Sequence, residues 1–203
     1  MQHILHADNP DLKKIKLIAD LLDRGGIIVY PTDTVYALGC SLNCKRAIEK
    51  LAKLKGVKLK NANFSIVFND LSQLSEYAKH IDRPTYKILN KNLPGPFTFI
   101  LEATSKIPKL FDTNKKNIGI RIPDNNIVLE LVKYLNNPIV TTSIHDADEI
   151  IEYSTDPNLI ICNWEDKVDA VIDGGYGLNV PSTVVDLSNG EVEIIRQGIG
   201  ELA

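Results

Sequence analysis

Three segments bring small hydroxyls together beside apolar runs: Pro31-Thr32-Asp33-Thr34, Thr141-Thr142-Ser143 and Pro181-Ser182-Thr183. Cations accompany them: the lysines between 53 and 60, Arg121 in Gly-Ile-Arg-Ile-Pro and Arg196 in Ile-Ile-Arg-Gln-Gly. Hydroxyls both donate and accept, and a guanidinium grips two oxygens at once, so the set suits phosphate and carboxylate groups. Taken singly, each feature has a structural use. Thr and Ser at strand ends satisfy backbone groups in turns, a lone arginine pairs with a surface carboxylate, and a charged helix face is solvated. Repetition argues for a ligand, because the crevice at the strand ends of an α/β sheet is where ligands bind. The chain has no Walker A loop, no G-x-G-x-x-G opening a helix, no H-E-x-x-H and no EF-hand loop. Its histidines are too scattered to form a triad, so no catalytic acid or base is assigned.

Strands and helices alternate around these segments. Asn9-Pro10 offers a cap and a first helical residue, and Leu12, Ile15, Ile18 and Leu22 recur at helical spacing until Gly25-Gly26. Further helices are predicted over 44–55, 71–79, 82–91 and 126–136. Strands are predicted over 26–30, 64–68, 97–101, 117–122, 138–142, 169–172, 182–186 and 192–196. The helix 44–55 turns Ile48, Leu51 and Ala52 inward and carries Lys45, Arg46, Lys50 and Lys53 outward, with Lys55, Lys58 and Lys60 at its exit. The stretch 144–166 is the least patterned and reads as a mobile connection or lid. Mixed strands and helices throughout predict a single α/β domain over 1–203 around one twisted sheet.

Composition fits that expectation. The 203 residues are 44% hydrophobic and 24% charged, ordinary for a globular chain with a sizeable core. No stretch approaches the ~18 apolar residues of a membrane span, and the N-terminus lacks an apolar signal region, so a cytoplasmic location is expected. Three cysteines, Cys40, Cys44 and Cys162, fit reduced packing thiols better than a disulfide framework or a metal site. A net charge of -3 argues against a chain coated in nucleic acid but leaves room for a local basic patch.

The ordered set "GGIIVYPTDTVYALGC", "LPGPFTFIL", "IGIRIP", "PIVTTS", "PSTVVDL" and "IIRQGIG" resembles the YrdC/YciO family, related to threonylcarbamoyl-AMP synthases, from about residue 10 to residue 200. The resemblance implies a twisted mixed sheet with flanking helices and a large, positively charged concave cavity. It implies a reaction in which L-threonine, bicarbonate and ATP give threonylcarbamoyl-adenylate and pyrophosphate, for the threonylcarbamoyl modification of adenosine in tRNA. By the same resemblance Thr32, Thr34, Arg121, Thr141 and Ser182 bind threonine. Lys53, Lys55, Lys58, Ser143 and Arg196 bind ATP, whose phosphates Mg2+ is expected to bridge. Partner proteins of the tRNA-modification pathway are implied too.

Departures from the synthase pattern place the chain nearest the YciO-type branch. Ile144 and His145 stand where the family has alanine and a nucleotide-contacting asparagine. Val57 stands where the arginine of a Lys-x-Arg pair belongs, with Lys58 one position late. The alternative from another class is a non-catalytic module that keeps the cavity and binds tRNA or double-stranded RNA through basic residues. Three hydroxyl clusters favour the enzyme, because an RNA surface needs cations more than convergent Thr and Ser.

Overall fold

The computed structural model describes residues 2–79, 81–111, 116–144 and 155–203. Ten strands join in one mixed sheet: β1 (Gln2–Ile4), β2 (Ile27–Tyr30), β3 (Ala37–Ser41), β4 (Ser65–Val67), β5 (Phe97–Glu102), β6 (Asn117–Arg121), β7 (Ile139–Ser143), β8 (Ala170–Asp173), β9 (Thr183–Asp186) and β10 (Glu193–Arg196). Their order across the sheet is β1-β8-β2-β3-β7-β4-β6-β5-β9-β10. The helices are α1 (Leu12–Asp23), α2 (Lys45–Leu54), α3 (Leu71–Leu74), α4 (Arg83–Asn92), α5 (Lys106–Phe111), α6 (Asn126–Leu135) and α7 (Pro157–Trp164). None of them is long and apolar enough to cross a membrane.

Side chains alternate across a strand, so each strand feeds two cores. On one face α1 and α6 bury Ile15, Ile18, Leu22, Ile127 and Leu131 against Ile28, Tyr30, Val67 and Ile139. On the other, Ile48 and Leu51 of α2 join Tyr36, Leu38, Ile66, Phe99, Ile120 and Val140. The caps follow from local chemistry. Asp11 accepts from the Lys13 and Lys14 N–H groups to start α1, Asn125 starts α6, and Gly25 at φ 88° ends the α1 turn.

Several sequence expectations are corrected. Asp11, not Asn9, caps α1, because it is the carboxylate within reach of the first free N–H groups. β1 and β3 were not predicted: β1 has three residues, and β3 reads Ala-Leu-Gly-Cys-Ser, with little β-branched character to flag it. The helix expected over 71–79 ends at Leu74. Within the stretch read as a connection or lid, 157–164 form α7, capped by Asp156, while 145–154 lie outside the described residues. All three cysteines are free, and Cys40 is buried, which pushes its thiol up in pKa.

Candidate functional site

The α1/α6 face of the sheet is bare of that helical layer over Ser65 of β4 and over β6, β5 and β9, and there a cavity of about 1240 Å3 opens. Its floor is a set of cross-strand rows. Asp186, Ile100, Gly119, Ser65 and Thr141 pair in succession across β9, β5, β6, β4 and β7. To one side of this row lie Glu102 and Asn117, paired with each other; to the other lie Thr98, paired with Val184, and Arg121. A Cβ on Gly119 would meet Ser65 Oγ at 2.8 Å and Thr98 Cγ2 at 3.2 Å, so glycine keeps the floor flat.

At one end Arg121 is held from behind. Its Nη2 donates to Asp33 Oδ1 at 2.8 Å and to Thr34 Oγ1 at 3.0 Å, and the ion pair is only 8% exposed on either side. Thr32 Oγ1 donates to the Val35 carbonyl and lies 3.1 Å from Thr34 Oγ1, so its own hydrogen is spent and Thr34 must donate to it. The result is a directed chain from Arg121 through Thr34 and Thr32 to the backbone. Asp33 Oδ2 also accepts from the Asp124 N–H. Arg121 Nε is buried and has no hydrogen-bond partner among the described residues.

Arg196 reaches the same end from the sheet edge. A register shift between Ile194 and Arg196 sets Arg196 opposite Val184, a residue of the cavity wall. Such a bulge re-aims a side chain. Nη2 donates to the Ser182 carbonyl at 2.8 Å, while Nε is buried and has no partner among the described residues. Desolvation lowers the pKa of Arg196, and the nearby positive charge of Arg121 lowers it further. Beside them Thr98 and Ser182 share a hydrogen bond of 2.8 Å. Two cations therefore line one cavity, an arrangement suited to an anion.

The far end is polar and nearly neutral. Asn117 Nδ2 donates to Ser188 Oγ, and Asp186 Oδ1 accepts from the Ser188 N–H. Glu102 is ion-paired with Lys79, and Lys116 stands exposed at the lip. The side walls come from Thr142 and Ser143 and from Asn179, Val180 and Pro181. The glycine-rich loop carrying these last three is strapped down by Tyr36, whose hydroxyl donates to the Gly175 carbonyl and accepts from the Gly174 N–H. The Leu178 N–H to Thr34 carbonyl bond completes the strap.

Among the residues expected from the sequence, Arg121, Thr141, Ser143, Ser182 and Arg196 line the cavity. Thr32 and Thr34 stand behind Arg121. The Thr141 hydroxyl donates to the Leu38 carbonyl and accepts from Tyr30 at 2.6 Å, so its hydrogen is committed. Gly39 makes room for that tyrosine ring, 2.7 Å from where its Cβ would be. Burial raises Tyr30 to about 12, which keeps it protonated as the donor. Lys53, Lys55 and Lys58 do not line the cavity; Lys53 borders a separate cleft of about 520 Å3 with Arg24, Arg46 and Lys50. Ile144 is buried in the core instead of facing a ligand, with its N–H bonded to the Tyr36 carbonyl. His145 lies outside the described residues. Thr98, Ser65, Gly119, Asn117 and Asp186 are wall residues that sequence reasoning missed. The signal for Thr98 was its place between Phe97 and Phe99, the polar position in an alternating strand.

A mixed sheet left open on one face over a cavity, with the buried Arg121 and the half-buried Arg196 at one end, defines an α/β protein with a cavity suited to a small anionic molecule. Residues 20–198 match the Sua5/YciO/YrdC family model, described as telomere recombination, and the chain belongs to that family. It is 40% identical to an uncharacterized protein of Haemophilus influenzae, over 98% of this chain and 96% of that protein. The structure of Escherichia coli YciO superposes with a TM-score of 0.89 at 34% identity, covering 99% of this chain and 97% of YciO. P. abyssi Sua5 complexed with L-threonine superposes with a TM-score of 0.87 at 25% identity, covering 98% of this chain and 57% of Sua5.

Proposed function

We propose that the chain is a threonylcarbamoyl-AMP synthase-like enzyme, making threonylcarbamoyl-adenylate and pyrophosphate from L-threonine, bicarbonate and ATP for tRNA modification. The observation that carries this reading is the pair of arginines, Arg121 and Arg196, lining one cavity beside the hydroxyls of Ser182 and Ser143. A related chain whose structure holds L-threonine supports it.

In this reading Arg121 receives the threonine carboxylate, and the chain through Thr34, Thr32 and Asp33 fixes the guanidinium before substrate arrives. The threonine amine takes up bicarbonate-derived CO2 and loses a proton, giving a carbamate. A carbamate oxygen then attacks the α-phosphorus of ATP, and the bond to the β-phosphate oxygen breaks as pyrophosphate leaves. Arg196, Ser182 and Ser143 sit where they can neutralise and orient phosphate oxygens, which is most of what a phosphoryl-centred transfer needs. Mg2+ is expected to arrive on the nucleotide. Among the described residues no three His, Cys, Asp or Glu side chains cluster as a cage.

A second reading has its own observation. Arg24, Arg46, Lys50 and Lys53 border the cleft beside α2, away from the cavity, as expected of a non-catalytic tRNA or double-stranded RNA module. One experiment separates the two. Purified protein given ATP, threonine and labelled bicarbonate should release pyrophosphate and fix label, both dependent on threonine. Absence of turnover, together with RNA binding that weakens steeply with salt, would replace the enzyme with the module.

A further inference from the structure

We infer that the cleft beside α2 is a second anion site, separate from the cavity, that takes a short chain of unesterified phosphates such as pyrophosphate or tripolyphosphate. The inference does not depend on the enzyme reading, and it gives the cation-rich helix a use that the cavity does not.

The cleft lies between the end of α1 and the outer face of α2 and holds about 520 Å3, within the range of about 300–1,000 Å3 usual for small-ligand sites. Arg24, the residue that caps the end of α1, stands on one side, and Arg46, Lys50 and Lys53 of α2 stand on the other. These three recur at i, i+4 and i+7, so they share one helix face and span ~10 Å along it. Gly25, Cys44 and Ala47 keep the rest of the lining small. A Cβ on Gly25 would meet Cys44 Sγ at 2.9 Å.

Cations gathered in this way repel one another, and α2 sets two of them against its own dipole. Lys45 and Arg46 lie in its first turn, where a helix favours anions, and no acidic residue is there to offset them. Arg46 and Lys50 are like charges at i, i+4, a spacing that destabilises a helix. Lys50 is relieved by an ion pair with Asp169 at 3.2 Å, and Glu49 is the carboxylate of the lining. Among the described residues the side chains of Arg24, Arg46 and Lys53 have no hydrogen bond or ion pair. An anion between the two helices removes this repulsion.

The lining also selects the kind of anion. Arginines from two different helices can each grip two phosphate oxygens, and the lysines extend the row. Among the described residues no aromatic, amide or hydroxyl side chain lines the cleft, so a base has nothing to stack on and a ribose nothing to bond. ATP is therefore left to the cavity. Three cations outside ion pairs neutralise about three phosphates, a weak hold on a nucleic-acid backbone, whose affinity depends steeply on that number. Charge with no reader of bases fits a ligand that is phosphate alone.

Cys44 supplies the test. With Cys162→Ser in place and Cys40 buried, the half-buried Cys44 is the accessible thiol, and it lines the cleft. Its alkylation by iodoacetamide is followed on the full chain. Tripolyphosphate and pyrophosphate should slow it saturably, and potassium chloride at matched ionic strength should not. Arg24→Ala/Arg46→Ala should raise the half-protecting concentration about tenfold or more, while Arg196→Lys, in the cavity, should leave it unchanged. Calorimetry gives an independent reading: tripolyphosphate binding should persist in Arg196→Lys and weaken about tenfold when Arg24→Ala/Arg46→Ala is added, with thermal unfolding confirming that the fold is kept. Absence of protection, protection that potassium chloride reproduces, or an unchanged concentration in the Arg24/Arg46 variant overturns the inference. Protection by duplex RNA but not by tripolyphosphate overturns it in favour of the RNA module, and loss of both signals in Arg196→Lys alone overturns it in favour of the cavity. Threonine-dependent pyrophosphate release is untouched by any of these outcomes, so the enzyme reading stands or falls separately.

Discussion

Asp33 and Arg121 form a buried ion pair 2.8 Å long, and removing one partner exposes what the pair does. In Asp33→Ala the guanidinium stays buried and keeps Thr34, but it loses its counter-charge. Breaking a buried pair in this way costs about 3–5 kcal/mol. The lower part of that range applies here, because water from the cavity can reach part of the vacated space and the Asp124 N–H, on an exposed residue, can be solvated. About 3 kcal/mol is roughly two decades in the folded-to-unfolded ratio. Urea unfolding should therefore show a lower midpoint at an unchanged slope. The double variant Asp33→Ala/Arg121→Met removes the stranded charge as well, and should be more stable than Asp33→Ala alone. L-threonine should stabilise Asp33→Ala, its carboxylate standing in for the lost one, by up to about 2.7 kcal/mol at a hundredfold excess over Kd. Simple additivity of the two single losses would refute the claim that the pair acts as a unit.

Four further outcomes are expected. Gly119→Ala pushes a methyl to within 2.8 Å of Ser65 Oγ, and should cost about 1–3 kcal/mol in unfolding experiments. Ile144→Ala, though it restores the family residue, removes buried core atoms and should cost about 2–5 kcal/mol by denaturant titration, with no gain in nucleotide affinity. Tyr30 and Tyr36 are both pushed up from 10.0 to about 12 by burial, so the folded state holds their protons more tightly than the unfolded one. Their contribution is complete below pH 10 and lost as pH rises toward 12, at about 1.4 kcal/mol per pH unit for Tyr30; an alkaline unfolding curve that is flat over this window would contradict it. Lys53→Ala should leave ATP affinity unchanged in calorimetry, and in filter-binding assays any RNA affinity should fall with its salt slope reduced by about one.

The fold was legible wherever period and punctuation agreed. Ile15, Ile18 and Leu22 recur on one face of α1, and Gly25 ends it at a positive φ that other residues resist. β3 was hidden because its residues are small and its partners, β2 and β7, supply the reason for its existence. α7 was hidden by asparagines and a proline that read as a loop, yet Asp156 and Pro157 are a cap and a first-turn residue once a core is present to receive Ile160 and Ile161.

The site was legible by residue type and hidden by register. Arg121 and Arg196 stood out because an arginine beside a strand of isoleucines needs an explanation. Thr32 and Thr34 stood out as well, but type alone cannot tell a hydroxyl that touches a ligand from one that holds the arginine that does. Only the direction of the hydrogen bonds from Arg121 to Thr34 and Thr32 makes that distinction. The lysines stand apart from the cavity for the opposite reason. Their spacing correctly puts them on the outer face of α2, but α2 packs on the sheet face opposite the cavity floor, so Lys53 borders another cleft. The floor itself draws Ser65, Gly119, Ile100 and Asp186 from four strands far apart in sequence. The serine, the glycine, the isoleucine and the aspartate are each unremarkable in their own strands. They acquire meaning only because cross-strand pairing lines the four up in one row beneath the cavity.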